Sequence, residues 1–426
     1  MGLNRKTMNI LNILLTCIGL AGCSVNGGSV DVVVENSGTS DRKGEMVEIS
    51  MSDIGSKLGM SSGSVSVTDG TGSPVPCQIT YDGYLIFPAD VKAGSSAVYS
   101  VSCSEISSDK DTFTAVSSDT ITCGRIYPER LDDLAWENDK AAYRTYGPAF
   151  QKRGDKGFGY DILTKSVAEP VVEERYRMEL DTVAASRMRA LRKEGRHSEA
   201  DSIYRSISYH VDHGNGMDCY NVGPTLGGGT TAFMVDSAIV YPYCYKECEV
   251  LDNGPLRFTA KLVYNPMVVG CDSNVVETRI ITLDKGSYLN RTDVSYSGLG
   301  DSTAKTLVTG IVLHSQNPDG YFTDSENNFM AYADSTNNPK AGNGVIYVGA
   351  VFQKPVSDMG VQMFENAKSD AIGHVLGYSE YTAGSTYRYY WGSGWSKGDM
   401  PDADTWNIYL KGYSYNLAHP LKVSIK

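Results

Sequence analysis

The sequence predicts a mainly β protein. A large β-sandwich is expected, with a smaller N-terminal β-sandwich section and a short helical insertion. Three observations predict it. Short runs of period-two alternation recur along the chain. Asp-Gly and other glycine-bearing turns separate them. Only Glu173 to Ile207 carries long helical spacing.

In chain order, Arg5 and Lys6 precede an apolar run from Met8 to Leu20 that is too short to span a bilayer. Leu20-Ala21-Gly22-Cys23 then reads as a bacterial lipoprotein signal, with residues 1–22 removed and Cys23 lipidated. Residues 23–29 form a polar tether. No acidic cluster follows Cys23, so the expected address is the outer membrane facing the periplasm, with membrane contact through the lipid alone.

Residues 30–106 form the N-terminal section. Val30 to Glu35 opens it, Glu45 to Ser50 alternates, and Asp69-Gly70 and Asp82-Gly83 are its hairpin signals. Residues 119–426 form the large sandwich. Within it, residues 173–207 are expected to make a helical pair broken at Gly195 and lying as an amphipathic cover over a sheet. Long strands follow at Arg257–Tyr264, Val276–Leu283 and Asn290–Tyr296, with Glu277 and Arg279 on one face. Further strands are expected at Thr306–Leu313, Gly344–Val351 and Asn407–Leu410.

The chain carries a formal charge of −12, which becomes −14 once Arg5 and Lys6 are removed. That balance argues against nucleic acid as a partner, and any acidic sugar must meet local cations. Once residues 1–22 are removed, seven cysteines besides Cys23 leave at least one thiol unpaired. Cys244 and Cys248 lack the further ligands of a zinc site, and most of these cysteines read as small buried residues.

Chemistry-bearing residues concentrate in four segments. Tyr209-His210-Val211-Asp212-His213-Gly214-Asn215-Gly216-Met217-Asp218-Cys219-Tyr220 holds two of the six histidines. On an extended backbone His210 and Asp212 share a side, as a base and its orienting carboxylate would. The same stretch offers Asp212, Asn215 and Asp218 as oxygen ligands to a divalent cation, although the spacing is not an EF-hand loop. Trp136 to Tyr146 brings Trp136, Glu137, Asp139, Arg144 and Tyr146; Arg144 suits a bidentate grip on a carboxylate. Asn221 to Gly229 is glycine-rich and permits close backbone approach. Tyr387 to Asp399 places Trp391 and Trp395 beside Lys397, as an aromatic platform or as core. His314, at the end of Val308–Leu313, either faces the same cleft or is a satisfied buried histidine, and the second reading is preferred.

Trp136-Glu137-Asn138-Asp139 with Arg144-Thr145-Tyr146-Gly147-Pro148, the Tyr209–Tyr220 stretch with Val222-Gly223-Pro224-Thr225-Leu226-Gly227, and Tyr390-Trp391-Gly392-Ser393-Gly394-Trp395-Ser396-Lys397-Gly398-Asp399 together resemble the Bacteroidetes lipoprotein family catalogued as domain of unknown function 4861. The resemblance covers nearly all of the mature chain. It implies a setting in polysaccharide utilisation, often beside hydrolases of unsaturated uronides, and a galactose-mutarotase-like supersandwich fold.

The expected function is an exported lyase that performs β-elimination on uronic-acid-containing oligosaccharides. Arg144 would hold the uronate carboxylate, with His210 as base, oriented by Asp212. Tyr220 or Tyr146 would protonate the leaving oxygen. Trp136, Trp391 and Trp395 would stack on sugar rings, with Glu137, Asp139, Asp218 and Lys397 completing the cleft. No cofactor is expected, a divalent cation being the alternative use of the aspartates. The competing functions are a glycoside hydrolase, pairing Glu137 or Asp139 with Asp212 or Asp218, and a noncatalytic glycan-binding lipoprotein.

Overall fold

Alternation does place the first layers. The structure, a computed structural model, describes residues 27–104, 113–115, 121–300, 305–367 and 369–426; Cys23 and the signal segment lie outside the described residues. In Gly27–Asn36, Val30, Val32 and Val34 point inward while Asp31 and Glu35 face solvent. This strand pairs with Ser95–Ser104, which continues to Gly63–Thr68 and Pro74–Val75. A second sheet of Arg42–Ser50, Tyr84–Val91 and Gln78–Ile79 closes the small sandwich. Gly83, at a φ of 83°, turns the Asp82-Gly83 hairpin.

Two features of this section differ from expectation. Met51–Leu58 is a helix, α1, ended by Gly59 in the left-handed region. The C-terminal strand Lys422–Ile425 pairs antiparallel with Val32–Glu35, so the chain's last residues complete its first sheet.

Strand accounts for 47% of the described residues and helix for 17%, which makes it a mainly β protein as expected. The large sandwich has a nine-stranded antiparallel sheet whose centre runs Arg257–Tyr264, Asp272–Asp284, Leu289–Ser297, Tyr387–Trp395 and Ile346–Phe352. Its inner face packs on two smaller sheets. One has five strands centred on Gly228–Val235, Lys305–His314 and Ala371–Tyr381. The other has four, in the order Asp161–Leu163, Ala142–Thr145, Asp133–Glu137 and Cys123–Tyr127. Phe233 and Leu307, Phe258 and Trp391, and Trp136 and Tyr143 meet in one continuous core. Glu277 and Arg279 do share a face, and it is the buried one; they pair with each other there, with Arg279 4.5 Å over the Tyr264 ring.

The expected helical pair is three helices. After the short α2 (Pro148–Lys152) come α3 (Val172–Glu179), α4 (Thr182–Lys193) and α5 (His197–Ile207). Asp181 caps α4 by accepting from the Val183 and Ala184 amides, which makes the extra break. Asn407–Leu410 is not a strand. It lies inside α6 (Ala403–Ala418), capped by Asp402, which packs Trp406 and Leu410 on the outer face of the nine-stranded sheet. The local Asn-Ile-Tyr-Leu sequence suits either state, and burial of a 3.6-residue stripe decided it.

Four of the cysteines, Cys77, Cys103, Cys219 and Cys244, are buried, Cys123 and Cys248 are partly so, and Cys271 is exposed.

Candidate functional site

Register builds a charged layer on the outer face of the four-stranded sheet. Arg144 is paired across the ladder with Asp161 on one side and Ala135 on the other, so Asp133, two residues from Ala135, joins the same face. Arg144 is buried. Its Nε donates to Asp161 Oδ2 at 2.9 Å and its Nη2 to Asp218 Oδ2 at 3.0 Å, and its Nη1 lies 3.9 Å from Asp133. Tyr146 donates its hydroxyl proton to Asp161 at 2.6 Å. Asp218 arrives on the Gly-rich bend, which is tied down by Thr164 N–H donating to the Met217 carbonyl and Asp218 N–H to that of Tyr209. Gly216 has a φ of 106°, and a Cβ there would sit 2.1 Å from the Thr164 carbonyl oxygen, so only glycine makes this bend. Tyr176 of α3 and Tyr209 cover the layer.

Three carboxyls share this buried space with the guanidiniums of Arg144 and Arg130. Burial pushes Asp133 up to about 6 against the opposing pull of Arg144 and Arg130, and burial raises Asp218 as well. Between pH 3.8 and about 6 the folded protein therefore retains a proton on Asp133 that the unfolded chain has released. The stabilising contribution is complete below pH 3.8, the group's ordinary value, and is lost as pH climbs through about 6. Asp133→Asn should remove this loss, on the order of 3 kcal/mol between pH 4 and 7. Denaturant unfolding of both proteins across that range is the check, and identical pH slopes would refute the assignment.

His210 stands at the edge of the layer with 45% of its side chain exposed. Its Nδ1 lies 2.9 Å from the Asp218 carbonyl oxygen. A carbonyl only accepts, so Nδ1 carries the proton and Nε2 of the neutral ring presents a lone pair to solvent. The Tyr209 ring lies 4.5 Å from the imidazole. The Tyr209 hydroxyl accepts from Arg130 Nη2 and, at 3.5 Å, from Arg144 Nη1. Arg130 also lies 5.3 Å over the Tyr209 ring, and its Nε has no hydrogen-bond partner among the described residues.

Several expected roles require correction. Asp212 does not orient His210: the backbone there turns instead of extending, so Asp212 bonds Lys397 at 2.8 Å and the Gly214 and Gly216 amides. Arg144 cannot grip a substrate carboxylate, because its donors already meet Asp161 and Asp218. Tyr220 is buried in a different place, edge-on to His314 at 6.0 Å.

Trp136, Trp391 and Trp395 are core residues with no face open to a sugar. Their indole N–H groups donate to Asn290, Thr292 and the Asn343 carbonyl. Glu137 is also sealed, accepting from Lys165 and from the Val171 and Val172 amides at the start of α3. Asp139 caps the Gly286 amide. The cation-binding alternative is dispersed too, since Asp212, Asn215 and Asp218 turn to Lys397, Arg175 and Arg144. His314 is buried against Asp334 at 2.6 Å.

The structure thus unites His210, Asp218, Arg144 and Tyr146, and adds Tyr209, Arg130, Asp133 and Asp161. Adjacency to His210 was a signal for Tyr209, whereas Asp161 sits in an unremarked Gly-Tyr-Asp-Ile-Leu run.

The family described as a domain of unknown function, DUF4861, matches residues 34–423. The chain belongs to this family. A protein of Formosa agariphila named Uncharacterized protein P7 is 25% identical over 412 residues, spanning 93% of each chain. Among solved structures, a protein in glycosyl hydrolase family 38 from Enterococcus faecalis is 9% identical with a TM-score of 0.46. An alpha-mannosidase from Enterococcus faecalis is 10% identical with a TM-score of 0.41. Each match covers 93% of this chain, and the chain spans about half the length of either, 47% and 46%.

Proposed function

We propose that this chain is a lipid-anchored carbohydrate-active enzyme of the bacterial cell envelope, facing the periplasm, that opens uronic-acid-containing oligosaccharides by β-elimination at His210. The observation that carries the reading is the exposed imidazole whose Nδ1 is committed to the Asp218 carbonyl, leaving Nε2 as a base. The substrate class and the anchor follow the family's expected setting and the Cys23 signal. His210 Nε2 takes the proton beside the uronate carboxylate, and Arg130 offsets the charge that develops on that carboxylate. The bond to the leaving oxygen breaks as the ring double bond forms. Tyr209, its hydroxyl bracketed by Arg130 and Arg144, supplies the proton to that oxygen. Arg144 is a positioning residue that fixes Tyr209 and the Asp218 loop.

The test is a panel of uronic-acid glycans followed by the ultraviolet absorbance of the conjugated product. His210→Ala should lower its formation by about 10²–10⁴-fold. The variant should keep its unfolding midpoint, because the side chain lies at the surface with 45% of it exposed. Normal product formation by the variant would refute the role of His210.

Hydrolysis is the second reading, and what favours it is the gathering of three carboxyls, Asp133, Asp161 and Asp218, in one layer around Arg144 beside His210. Reducing ends released without absorbance would establish it in place of elimination.

A further inference from the structure

A cavity of about 490 Å³ opens on the opposite side of the large sheet from its core, between the N-terminal sandwich and α6. Its size falls within the range of small-ligand sites, about 300–1,000 Å³. Three walls meet there. Tyr409 and Tyr413 stand one turn apart on α6, and Asn416 extends the same helical stripe. The core-facing stripe of that helix is the neighbouring one, Trp406 and Leu410. From the nine-stranded sheet, Tyr390 and Arg291 are register partners and therefore lie side by side on one face. The third wall is the Lys43–Glu48 stretch of the small sandwich.

The lining combines aromatic rings with four cations, Lys43, Arg257, Lys285 and Arg291, and three carboxylates, Glu45, Glu48 and Asp284. Tyr390 and Tyr413 centroids lie 5.3 Å apart at 61°, and Tyr409 and Tyr413 6.1 Å apart at 47°, forming an angled aromatic wall. Arg257 is engaged by Glu48 at 2.7 Å and Asp284 at 2.6 Å. Arg291, by contrast, reaches Glu48 only at 3.4 Å, and its buried Nε has no hydrogen-bond partner among the described residues. Lys43 and Lys285 also line the cavity and make no ion pair among the described residues. Phenol rings offer faces to the C–H side of a sugar, and Lys43, Lys285 and the Nε of Arg291 suit a carboxylate.

We propose that this cavity is a saccharide-binding site for an acidic oligosaccharide, separate from the His210 site, with which it shares no residue. The substrate class rests on the proposed function, but the site itself does not. Calorimetric titration of the full chain carrying His210→Ala, which should slow any elimination of the ligand by about 10²–10⁴-fold, with uronic-acid disaccharides to tetrasaccharides tests it.

Tyr413→Ala in that background should weaken binding at one site about tenfold, while Tyr413→Phe should retain it. Carboxyl-reduced oligosaccharides should bind that site about tenfold more weakly than the acids. Absence of any site sensitive to Tyr413→Ala overturns the proposal, and equal affinity for reduced and acidic sugars overturns its acidic specificity. Turnover by the chain with His210 intact reports separately: a Tyr413-dependent site without turnover keeps this proposal and rejects elimination, and turnover without such a site does the reverse.

Discussion

Arg144→Leu is expected to destabilise the protein by about 3–5 kcal/mol, the cost of leaving buried carboxylates without their counter-charge. Arg144 alone donates to both Asp161 and Asp218, which come from a sheet strand and from the Gly-rich bend. Removing it therefore releases the bend as well as orphaning the charges. Arg144→Lys should recover only part of the loss, because a single ammonium cannot reproduce the fork that serves both acceptors. The deficit should shrink in acid, since burial already raises Asp218 and its protonation relieves the unpaired charge. Denaturant midpoints at pH 5 and 7 measure both effects. A leucine variant as stable as the parent would show that the layer is not an organising element. Were the guanidinium instead a substrate clamp, the variant would lose binding and keep its stability.

Trp391→Ala should cost a further large amount, about 3–5 kcal/mol, by emptying the centre of the core. The indole has no exposed surface and lies parallel to Tyr160 at a centroid distance of 3.9 Å, with Tyr143 edge-on at 5.0 Å. Gly229, at a φ of 123°, leaves room for it: a Cβ there would come 2.8 Å from that of Trp391. Thr292 would also lose the donor that its hydroxyl accepts. Thermal unfolding and glycan binding should separate the roles, with the variant less stable and its folded fraction binding sugar as before. Intact stability with lost sugar binding would restore the aromatic-platform reading.

Those two residues show where sequence reasoning reached and stopped. Arg144 and Trp391 were both marked for function, because guanidinium and indole groups serve ligands well. Spacing cannot say which face of a strand is covered, and here both faces of the four-stranded sheet are. Trp136 was misjudged for the same reason: its face of Asp133–Glu137 meets the core, while the opposite face meets α3. The Tyr209–Tyr220 stretch was found from its composition, but its internal geometry was not. Asp212 seemed the partner of His210 on an extended backbone, and the turn that Gly214 and Gly216 permit gave that place to the Asp218 carbonyl.

The sequence by itself determined the mainly β class, the strands at Val30–Glu35 and Val276–Leu283, the Asp-Gly turns and the family. Each is a local pattern or a motif, legible because strand periodicity and turn chemistry act over a few residues. Tertiary structure alone decided that Lys422–Ile425 completes the first sheet and that Asn407–Leu410 is helical. It also decided that Asp133, Arg144, Asp161 and Asp218 share one buried layer. These depend on contacts between residues far apart in the chain, where burial of a shared face overrides local preference and determines which charges are paired.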